Sequence, residues 1–254
     1  MKSINIALLS AMPEEIGSTL ENLKNVTLTE FGDLKIYHVK YKKKVSNYES
    51  LYITLAWSGW GKVSAARATT RLLSGEFNNP PVQMILFTGV AGAVDKKLKQ
   101  WDIVLSEALI QHDMDARPIF DKYVVPAIKN SKIFANKNVL EKVFSPMEKK
   151  IKLANPKTFG NLYKGLIATG DMFISDRKKI EELSNDIPGV MAVEMEGAAF
   201  AQVAFQEDID WIVLRVISDS GGDSAHDEFN IFLEKYQNKA FDLIRYFLES
   251  LLIN

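Results

Sequence analysis

Three acidic residues, far apart in the sequence, each follow an apolar segment: Glu15, Glu196 and Asp219. Ligands of open α/β sheets bind at the carboxyl ends of the strands, so acids at such positions predict a site. Three carboxyl groups without a thiol or a metal suit the hydrolysis of a polarised bond. One protonates the leaving group, one activates water and one stabilises the positive charge that develops between them.

Each acid also has a purely structural interpretation. Glu196 suits the first turn of a helix, where a carboxylate complements the positive end of the helix dipole, and Asp219 suits a turn beside glycines. Glu194 and Glu196 are two residues apart, a spacing that places both on one face of an extended segment. The residues alone leave both interpretations open.

The stretch of residues 189–223 positions Glu196 and Asp219. It reads as a strand at 190–193, an alanine-rich helix and a second strand at 211–217. Two strands joined by one helix usually run parallel through a right-handed crossover. We therefore expect both strand ends, and both acids, at the same edge of a sheet.

The rest of the chain repeats this alternation of apolar strands and helical segments. Residues 88–93 (TGVAGA) follow one strand and are small enough for a ligand to lie against bare backbone. Residues 120–162 form the least regular region, with one or two covering helices. Strands are predicted at residues 4–10, 34–39, 51–56, 84–87, 103–110 and 166–169, and helices at 16–23, 63–73 and, as one long packing helix, 226–251.

Two motifs that would indicate a cofactor are incomplete. The glycine turn at residues 58–62 fails as a dinucleotide fingerprint at Ser64, which makes a nicotinamide-dependent oxidoreductase the weakest enzyme interpretation. His112 lies near Asp113 and Asp115, but a third convincing metal ligand is missing, so a hydrogen-bonded structural histidine is favoured over a metal site. We expect neither a metal nor a cofactor.

Composition limits the class of protein. The 254 residues are 47% hydrophobic and 25% charged, with a formal net charge of -1, so neither disorder nor a nucleic-acid or anionic membrane partner is indicated. The absence of cysteine excludes disulfides and a thiol nucleophile and is permitted by a reducing compartment. With no signal peptide and no transmembrane segment, we expect a cytoplasmic, single α/β domain over residues 1–254.

Six segments in order along the chain together resemble the methylthioadenosine/S-adenosylhomocysteine nucleosidases of the nucleoside phosphorylase superfamily. They are AMPEE at 11–15, SGWGKV at 58–63, TGVAG at 88–92, GDMFI at 170–174, VEMEGAA at 193–199 and RVISD at 215–219. The resemblance implies a three-layer α/β/α sandwich around a mixed, partly closed sheet. It also implies hydrolysis of the N-glycosidic bond of 5′-modified adenosines such as 5′-methylthioadenosine, S-adenosylhomocysteine or 5′-deoxyadenosine, in a homodimer whose partner loop helps cover the 5′ substituent.

The same resemblance assigns roles to residues. Glu15 activates water, and Asp219, held by Ser218, protonates or hydrogen-bonds adenine N7. Glu196 holds the ribose hydroxyls, with Met195 against the sugar. The other implied substrate-binding residues are Phe173 stacked on adenine, Ile174 at its edge, Ala91 and Gly92 lining the base pocket, Arg215 helping to place the water and the acids, Phe229 near the 5′ side, and Glu194.

Some positions depart from the family pattern. Val90 stands where many members carry serine, Trp60 replaces a smaller aliphatic residue, Gln111 replaces an aromatic residue near the 5′ group, and SGGD follows Asp219. A phosphorylase would need cationic and hydroxyl groups for phosphate, where this chain has Phe87 and Val90, so water is favoured as the nucleophile. The alternatives kept open are a phosphate-dependent nucleoside phosphorylase and a non-catalytic nucleoside-binding protein.

Overall fold

The structure, a computed structural model, describes residues 2–45, 48–74, 80–219 and 225–252. In chain order the elements are β1 (Lys2–Ser10), α1 (Pro13–Ile16), a 3₁₀ turn (Gly17–Thr19), β2 (Thr27–Phe31), β3 (Leu34–Val45), β4 (Tyr48–Trp57), α2 (Lys62–Leu73), β5 (Met84–Ala93), β6 (Ile103–Gln111), β7 (Lys132–Phe134), α3 (Lys137–Leu153), β8 (Leu162–Thr169), α4 (Arg177–Asp186), β9 (Val190–Glu194), α5 (Gly197–Gln206), β10 (Asp210–Asp219), α6 (Ala225–Tyr236) and α7 (Ala240–Leu251).

One mixed sheet contains all the strands. Strands β5, β10, β6, β8 and β9 pair in a closed ring, because β5 pairs with both β9 and β10. From this ring β1, β4, β3 and β2 extend as an open arm, and β7 pairs with β6. The predicted mixed, partly closed sheet is confirmed.

The central strands are apolar runs buried on both faces, as expected of strands that carry helices on each side. Residues 6–9 of β1 and 212–214 of β10 are fully buried. Helices α2 and α5 pack together on one side, while α1, α6 and α7 form a second group in which α3 packs against α7. The predicted three-layer arrangement is thereby confirmed. None of the helices among the described residues is long and apolar enough to cross a membrane.

The predicted parallel orientation of the strands on either side of α5 is wrong. Strand β10 runs parallel to β5 along its whole length, whereas β9 meets β5 antiparallel, through Val193 opposite Gly92 and Ala192 opposite Ala93. The reversal arises at β6, which is antiparallel to β10 and sets the direction of β8 and β9. The carboxyl ends of β9 and β10 still meet, because β9 overlaps only the last residues of β5.

The tail is two helices rather than the one long helix predicted. The side-chain amides of Gln237 and Asn238 both donate to the carbonyl of Glu234, which competes with continued helical bonding. The carbonyl of Gln237 also lies so close to Gly17 that a Cβ there would be 2.0 Å from it. Residues 120–162 contain one covering helix, α3, with Pro146 inside it.

A gap between β1 and β5 leaves part of one edge of β5 unpaired with β1. Strand β1 pairs with β5 only as far as Leu9 opposite Phe87, while it follows β4 to Ser10. Beyond Phe87, β5 continues to Ala93 with its edge turned toward α1. The backbone N–H groups on that edge are therefore available to a side chain from α1.

Candidate active site

One pocket of about 560 Å³, including its open mouth, lies where β1, β5, β9 and β10 end. Its walls combine four carboxyl side chains with apolar and aromatic groups, the combination that binding sites use for orientation and burial. The lining residues are Ala11, Met12, Glu15, Trp60, Val90, Ala91, Gly92, Met172, Phe173, Ile174, Val193, Glu194, Met195, Glu196, Ser218, Asp219 and Phe229.

Glu15 fills the gap between β1 and β5. Its Oε1 accepts a hydrogen bond from the Val90 N–H at 2.9 Å, and its Oε2 accepts from the N–H groups of Ala11 (2.9 Å) and Met12 (3.1 Å). Burial raises the pKa of Glu15, and Arg215 with the three backbone donors offsets only part of this rise. A carboxyl group held so firmly, with a raised pKa, suits a general base that works near neutral pH.

Arg215 lies fully buried behind the pocket, stacked over the ring of Phe87 at 4.6 Å. Its Nη1 lies 3.8 Å from Glu15 Oε1, and its Nη2 contacts Glu194 and, at 3.3 Å, Glu196 Oε2. This approach needs the glycine at position 89, since a Cβ there would lie 2.3 Å from both Arg215 Nη1 and Glu15 Oε1. One cation therefore holds three carboxyl groups together.

Glu194 is turned toward the protein more than toward the pocket. Its carboxylate bonds Arg215 and the Thr169 hydroxyl and accepts from the N–H groups of Glu196 (3.1 Å) and Gly197 (2.8 Å). Every strong acceptor direction of the side chain is thus used internally. The structure places Glu194 at the pocket wall, where it fixes Arg215 and the backbone that carries Glu196.

Glu196 precedes α5 and faces the pocket with Met195. Its Oε1 accepts from the Gly61 N–H at 2.9 Å, the first amide at the start of α2. Burial and then the neighbouring Glu194 raise its pKa to about 8, against the opposing influence of Arg215. The free site therefore holds Glu196 largely protonated at neutral pH, and a cationic ligand centre would favour its ionised form.

Asp219, at the end of β10, also lines the pocket. The Ser218 hydroxyl donates to Asp219 Oδ2 at 2.6 Å and fixes the carboxyl plane. Gly92 lies beside it, because a Cβ at that position would be 3.1 Å from Asp219 Oδ1. A flat ligand can therefore approach Asp219 along the backbone of β5.

Aromatic side chains close the outer side of the pocket. Phe173 meets Phe229 edge to face at 5.8 Å, and Phe229 meets Trp60 edge to face at 6.3 Å. Ile174, next to Phe173, is buried. Such an aromatic wall suits a ligand with a planar ring and an apolar substituent.

The family model of the phosphorylase superfamily matches residues 5–249. A 5′-methylthioadenosine/S-adenosylhomocysteine nucleosidase of Glaesserella parasuis serovar 5 is 32% identical over 95% of this chain and 96% of that protein. This chain belongs to the phosphorylase superfamily, among those nucleosidases.

Solved structures of the nucleosidase family share the fold. The Neisseria meningitidis enzyme in complex with methylthio-immucillin-A superposes with a TM-score of 0.84 at 28% identity, covering 97% of this chain and 99% of that one. The Streptococcus pyogenes S-adenosylhomocysteine nucleosidase in complex with 5-methylthiotubericidin gives 0.83 at 29% identity, covering 100% and 99%. The neighbouring structures are thus enzymes crystallised with nucleoside-like ligands.

The structure brings the predicted site residues of this nucleosidase-family chain together. All of them line the pocket except Arg215, which contacts three of its acids from behind. Of the departures from the family pattern, Val90 and Trp60 line the pocket, whereas Gln111 is absent from its described lining. The Gln111 amide instead bonds Gln202 and the Lys62 ammonium. The SGGD segment lies outside the described residues.

Three further residues hold parts of the site in place, and the sequence assigned none of them a role. Thr169 lies outside the quoted motifs, whereas Gly89 and Asp171 lie within TGVAG and GDMFI, but only the close approach in three dimensions reveals what they do. The amides of Gly61 and Lys62 are taken by carboxylates of Glu196 and Asp171, so the start of α2 is not open to a dinucleotide phosphate. Groups of three or more potential metal ligands are absent from the described residues, and the half-buried His112 packs against Gly170.

Proposed function

We propose that the protein hydrolyses the N-glycosidic bond of 5′-modified adenosines to adenine and the free 5′-modified ribose. The observation that carries this conclusion is the convergence of Glu15, Glu196 and Asp219 on one pocket with an aromatic wall. A nucleoside fits with its base toward Asp219 and Phe173, its sugar at Glu196 and its anomeric carbon facing Glu15.

Each acid has a separate part in the proposed reaction. Asp219, in its protonated form, gives its proton to adenine N7, and the bond between the anomeric carbon and N9 breaks. Glu196 gives up its proton to solvent as the positive charge develops and, as a carboxylate, holds the ribose hydroxyls. Glu15 takes a proton from the water molecule while the water oxygen bonds to the anomeric carbon. Exchange with solvent then returns Glu15, Glu196 and Asp219 to their starting states.

Water rather than phosphate is the proposed nucleophile. None of the described residues that line the pocket is a lysine or an arginine, and Arg215 is engaged by carboxyl groups. Phe87, fully buried, packs on Arg215, and Val90 presents an apolar side chain to the pocket. A phosphate dianion beside these acids would lack the cationic partners that it requires.

Product analysis tests the proposal. Purified protein is incubated with 5′-methylthioadenosine in phosphate-free buffer and then with phosphate, and adenine and the sugar product are followed. We expect adenine and free methylthioribose in both buffers. The Asp219→Asn variant serves as a control for contaminating activity, since its amide cannot protonate N7, and should nearly abolish adenine release while the fold is retained.

Other outcomes identify the alternatives. Sugar 1-phosphate that forms only when phosphate is present would establish a phosphorylase. Adenine release absent from a panel of 5′-modified adenosines, with binding retained, would establish a non-catalytic nucleoside-binding protein. The relative kcat/KM values across the panel would identify the preferred 5′ substituent.

We also propose that the protein is a homodimer. Large apolar side chains stand exposed on the described surface, among them Ile119 at 82%, Phe134 at 63% and Phe205 at 55%, and a second copy of the chain that covered them would remove this apolar surface from water. Light scattering should give twice the chain mass of 28.6 kDa. A cytoplasmic location stays a prediction from the sequence.

A further inference from the structure

Three polar side chains form a closed ring beside the pocket. The Lys62 N–H donates to Asp171 Oδ1 at 2.8 Å, the Lys62 ammonium donates to Asp113 Oδ1 at 2.7 Å, and Asp113 Oδ2 accepts from the Asp171 N–H at 3.0 Å. We call these three residues the polar ring. It joins the start of α2, the loop after β6 and the loop after β8.

Two of the segments that the polar ring joins carry groups of the site. The loop after β8 continues from Asp171 to Phe173 and Ile174, which line the pocket. The turn before α2 supplies the N–H group of Gly61, which donates a hydrogen bond to Glu196 Oε1. The adjacent amides of Gly61 and Lys62 thus hold Glu196 and Asp171 side by side at the positive end of one helix.

Gly61 permits this arrangement. Its φ is +90°, a conformation that favours glycine, and a Cβ at that position would lie 3.0 Å from Asp171 Oδ1. Gly61 offers no side-chain cap, so the carboxylate of Asp171 caps α2 from another part of the chain. The loop after β8 is consequently held by its hydrogen bond to α2 in addition to the hydrogen bonds within the loop.

The ion pair of the polar ring is partly shielded from water, whereas Asp171 is exposed. The side chains of Lys62 and Asp113 are 18% and 30% exposed, less than most ion pairs on this surface. Burial pushes the pKa of Asp113 upward, but the Lys62 ammonium and the Asp171 N–H outweigh it, and the pKa lies below its usual range. The charged form of Asp113 therefore persists at neutral pH.

We propose that Asp113, Lys62 and Asp171 are positioning residues that hold the base-binding loop of Phe173 and Ile174 in register with the sugar-binding carboxylate Glu196. This inference rests on the proposed nucleoside hydrolysis, because it assigns base and sugar to those two parts of the site. The polar ring touches no reacting atom, so it acts on ligand binding rather than on the bond-breaking step.

Kinetics of matched variants test the role. Asp171→Ala and Asp113→Ala each remove one side of the polar ring and should raise the KM for the nucleoside about tenfold with kcat changed less than about twofold, the pattern of lost uniform binding. Asp171→Asn keeps the Oδ1 acceptor for the Lys62 N–H and should restore a KM close to that of the wild type. Asp115→Ala, in the same loop but paired with the exposed Arg117 rather than with the polar ring, is the control and should change neither constant.

A double-mutant cycle and a direct binding measurement complete the test. Lys62→Met combined with Asp113→Ala should raise KM no further than either change alone, because both break the same ring. Adenine affinity, measured by calorimetry, should weaken by the same factor in Asp171→Ala. In Asp171→Ala and Asp113→Ala, amide hydrogen exchange should be faster than in the wild type at residues 170–174 and unchanged in β8.

The outcomes separate this inference from the proposed function. An active wild type whose Asp171→Ala and Asp113→Ala variants keep the KM, the adenine affinity and the exchange rates would overturn the positioning role alone. Equal losses in Asp171→Asn and Asp171→Ala would also contradict it, since the acceptor would then be irrelevant. A wild type that releases no adenine would overturn the proposed function, and the exchange measurement would still report whether the polar ring holds the loop.

Discussion

Two clusters of polar side chains, all buried except the partly buried His38, lie at opposite ends of β1. The acid cluster, at the carboxyl end, consists of Glu15, Glu194 and Glu196 around Arg215. The amide cluster, near the amino end, consists of Asn5, His38 and Thr54. There the Thr54 hydroxyl donates to Asn5 Oδ1 at 3.1 Å and lies 3.2 Å from His38 Nδ1, while Asn5 Nδ2 donates to the Pro80 carbonyl at 2.9 Å.

The difference between the clusters lies in charge. Burial lowers the pKa of His38, so the amide cluster is neutral and its hydrogen bonds repay the loss of water. In the acid cluster burial raises the pKa of Glu15 and Glu196, and Arg215, which is shared by three carboxyl groups, offsets only part of that rise. The neutral amide cluster favours stability, whereas catalysis that depends on shifted pKa values requires buried charged groups such as those of the acid cluster.

The largest expected effect on activity comes from Glu15→Gln. The amide cannot accept a proton from water, so kcat should fall by about a thousandfold or more, the upper range for loss of a general base. The side-chain volume is unchanged, and circular dichroism should show a folded protein. Turnover within tenfold of the wild type would remove Glu15 from the mechanism.

Glu196→Gln should lower activity at all pH values but change the stability of the protein in a pH-dependent way. We expect kcat to fall about a hundredfold, since a neutral amide stabilises the positive sugar less than a carboxylate. The folded pKa of about 8 exceeds the ordinary value of 4.5, so the wild type loses stability as pH rises between these values, while the unfolded chain ionises and the folded chain stays protonated.

Thermal unfolding checks this linkage. The melting temperature of Glu196→Gln relative to the wild type should rise from pH 4.5 to pH 8 by the equivalent of about 1–3 kcal/mol, after allowance for coupling to Glu194. A difference that stays constant with pH would show that Glu196 is ionised in the folded protein.

Ser218→Ala should lower kcat by less than the changes to Glu15 and Glu196, because the Ser218 hydroxyl is neutral and acts only by orienting the carboxyl group of Asp219. Losing the 2.6 Å bond to Asp219 should lower kcat about tenfold without abolishing it, the effect expected of one hydrogen bond. Steady-state kinetics alongside Asp219→Asn measures it. A loss as complete as that of Asp219→Asn would make the hydroxyl itself essential.

Thr54→Val should leave activity unchanged and reduce stability. The substitution keeps the shape but removes the hydroxyl between Asn5 and His38, which costs about 1–3 kcal/mol when buried partners lose their bond. Urea unfolding and the adenine-release assay measure the two quantities. A fall in kcat would mean that the two ends of β1 are coupled, and the comparison between the clusters would fail.

Local patterns predicted most of the strands and the residues of the pocket. Apolar runs ending in small or acidic residues identified β1, β5, β8 and β10, and the ordered motifs brought Glu15, Glu196 and Asp219 to one place. These signals are contained in short segments, where side-chain period and turn chemistry decide the structure.

Long-range pairing was beyond these patterns. The direction of β9 depends on the reversal at β6, about ninety residues earlier in the chain, and a short run of apolar residues suits a parallel and an antiparallel neighbour equally. The break before Ala240 depends on the approach of Gln237 to Gly17. Two of the three residues of the polar ring lie within quoted motifs, but the motifs carry no sign that the residues contact one another, so only the folded chain reveals the ring.

Gly89 provides a screen for related sequences. A chain can keep Glu15 and Arg215 and still be unable to hold them in this geometry if residue 89 carries any side chain, because even a methyl group would lie 2.3 Å from both. Motif searches that count only the acids would score such a chain as intact. A glycine at position 89 is therefore as informative about catalytic competence as the two charged residues on either side of it.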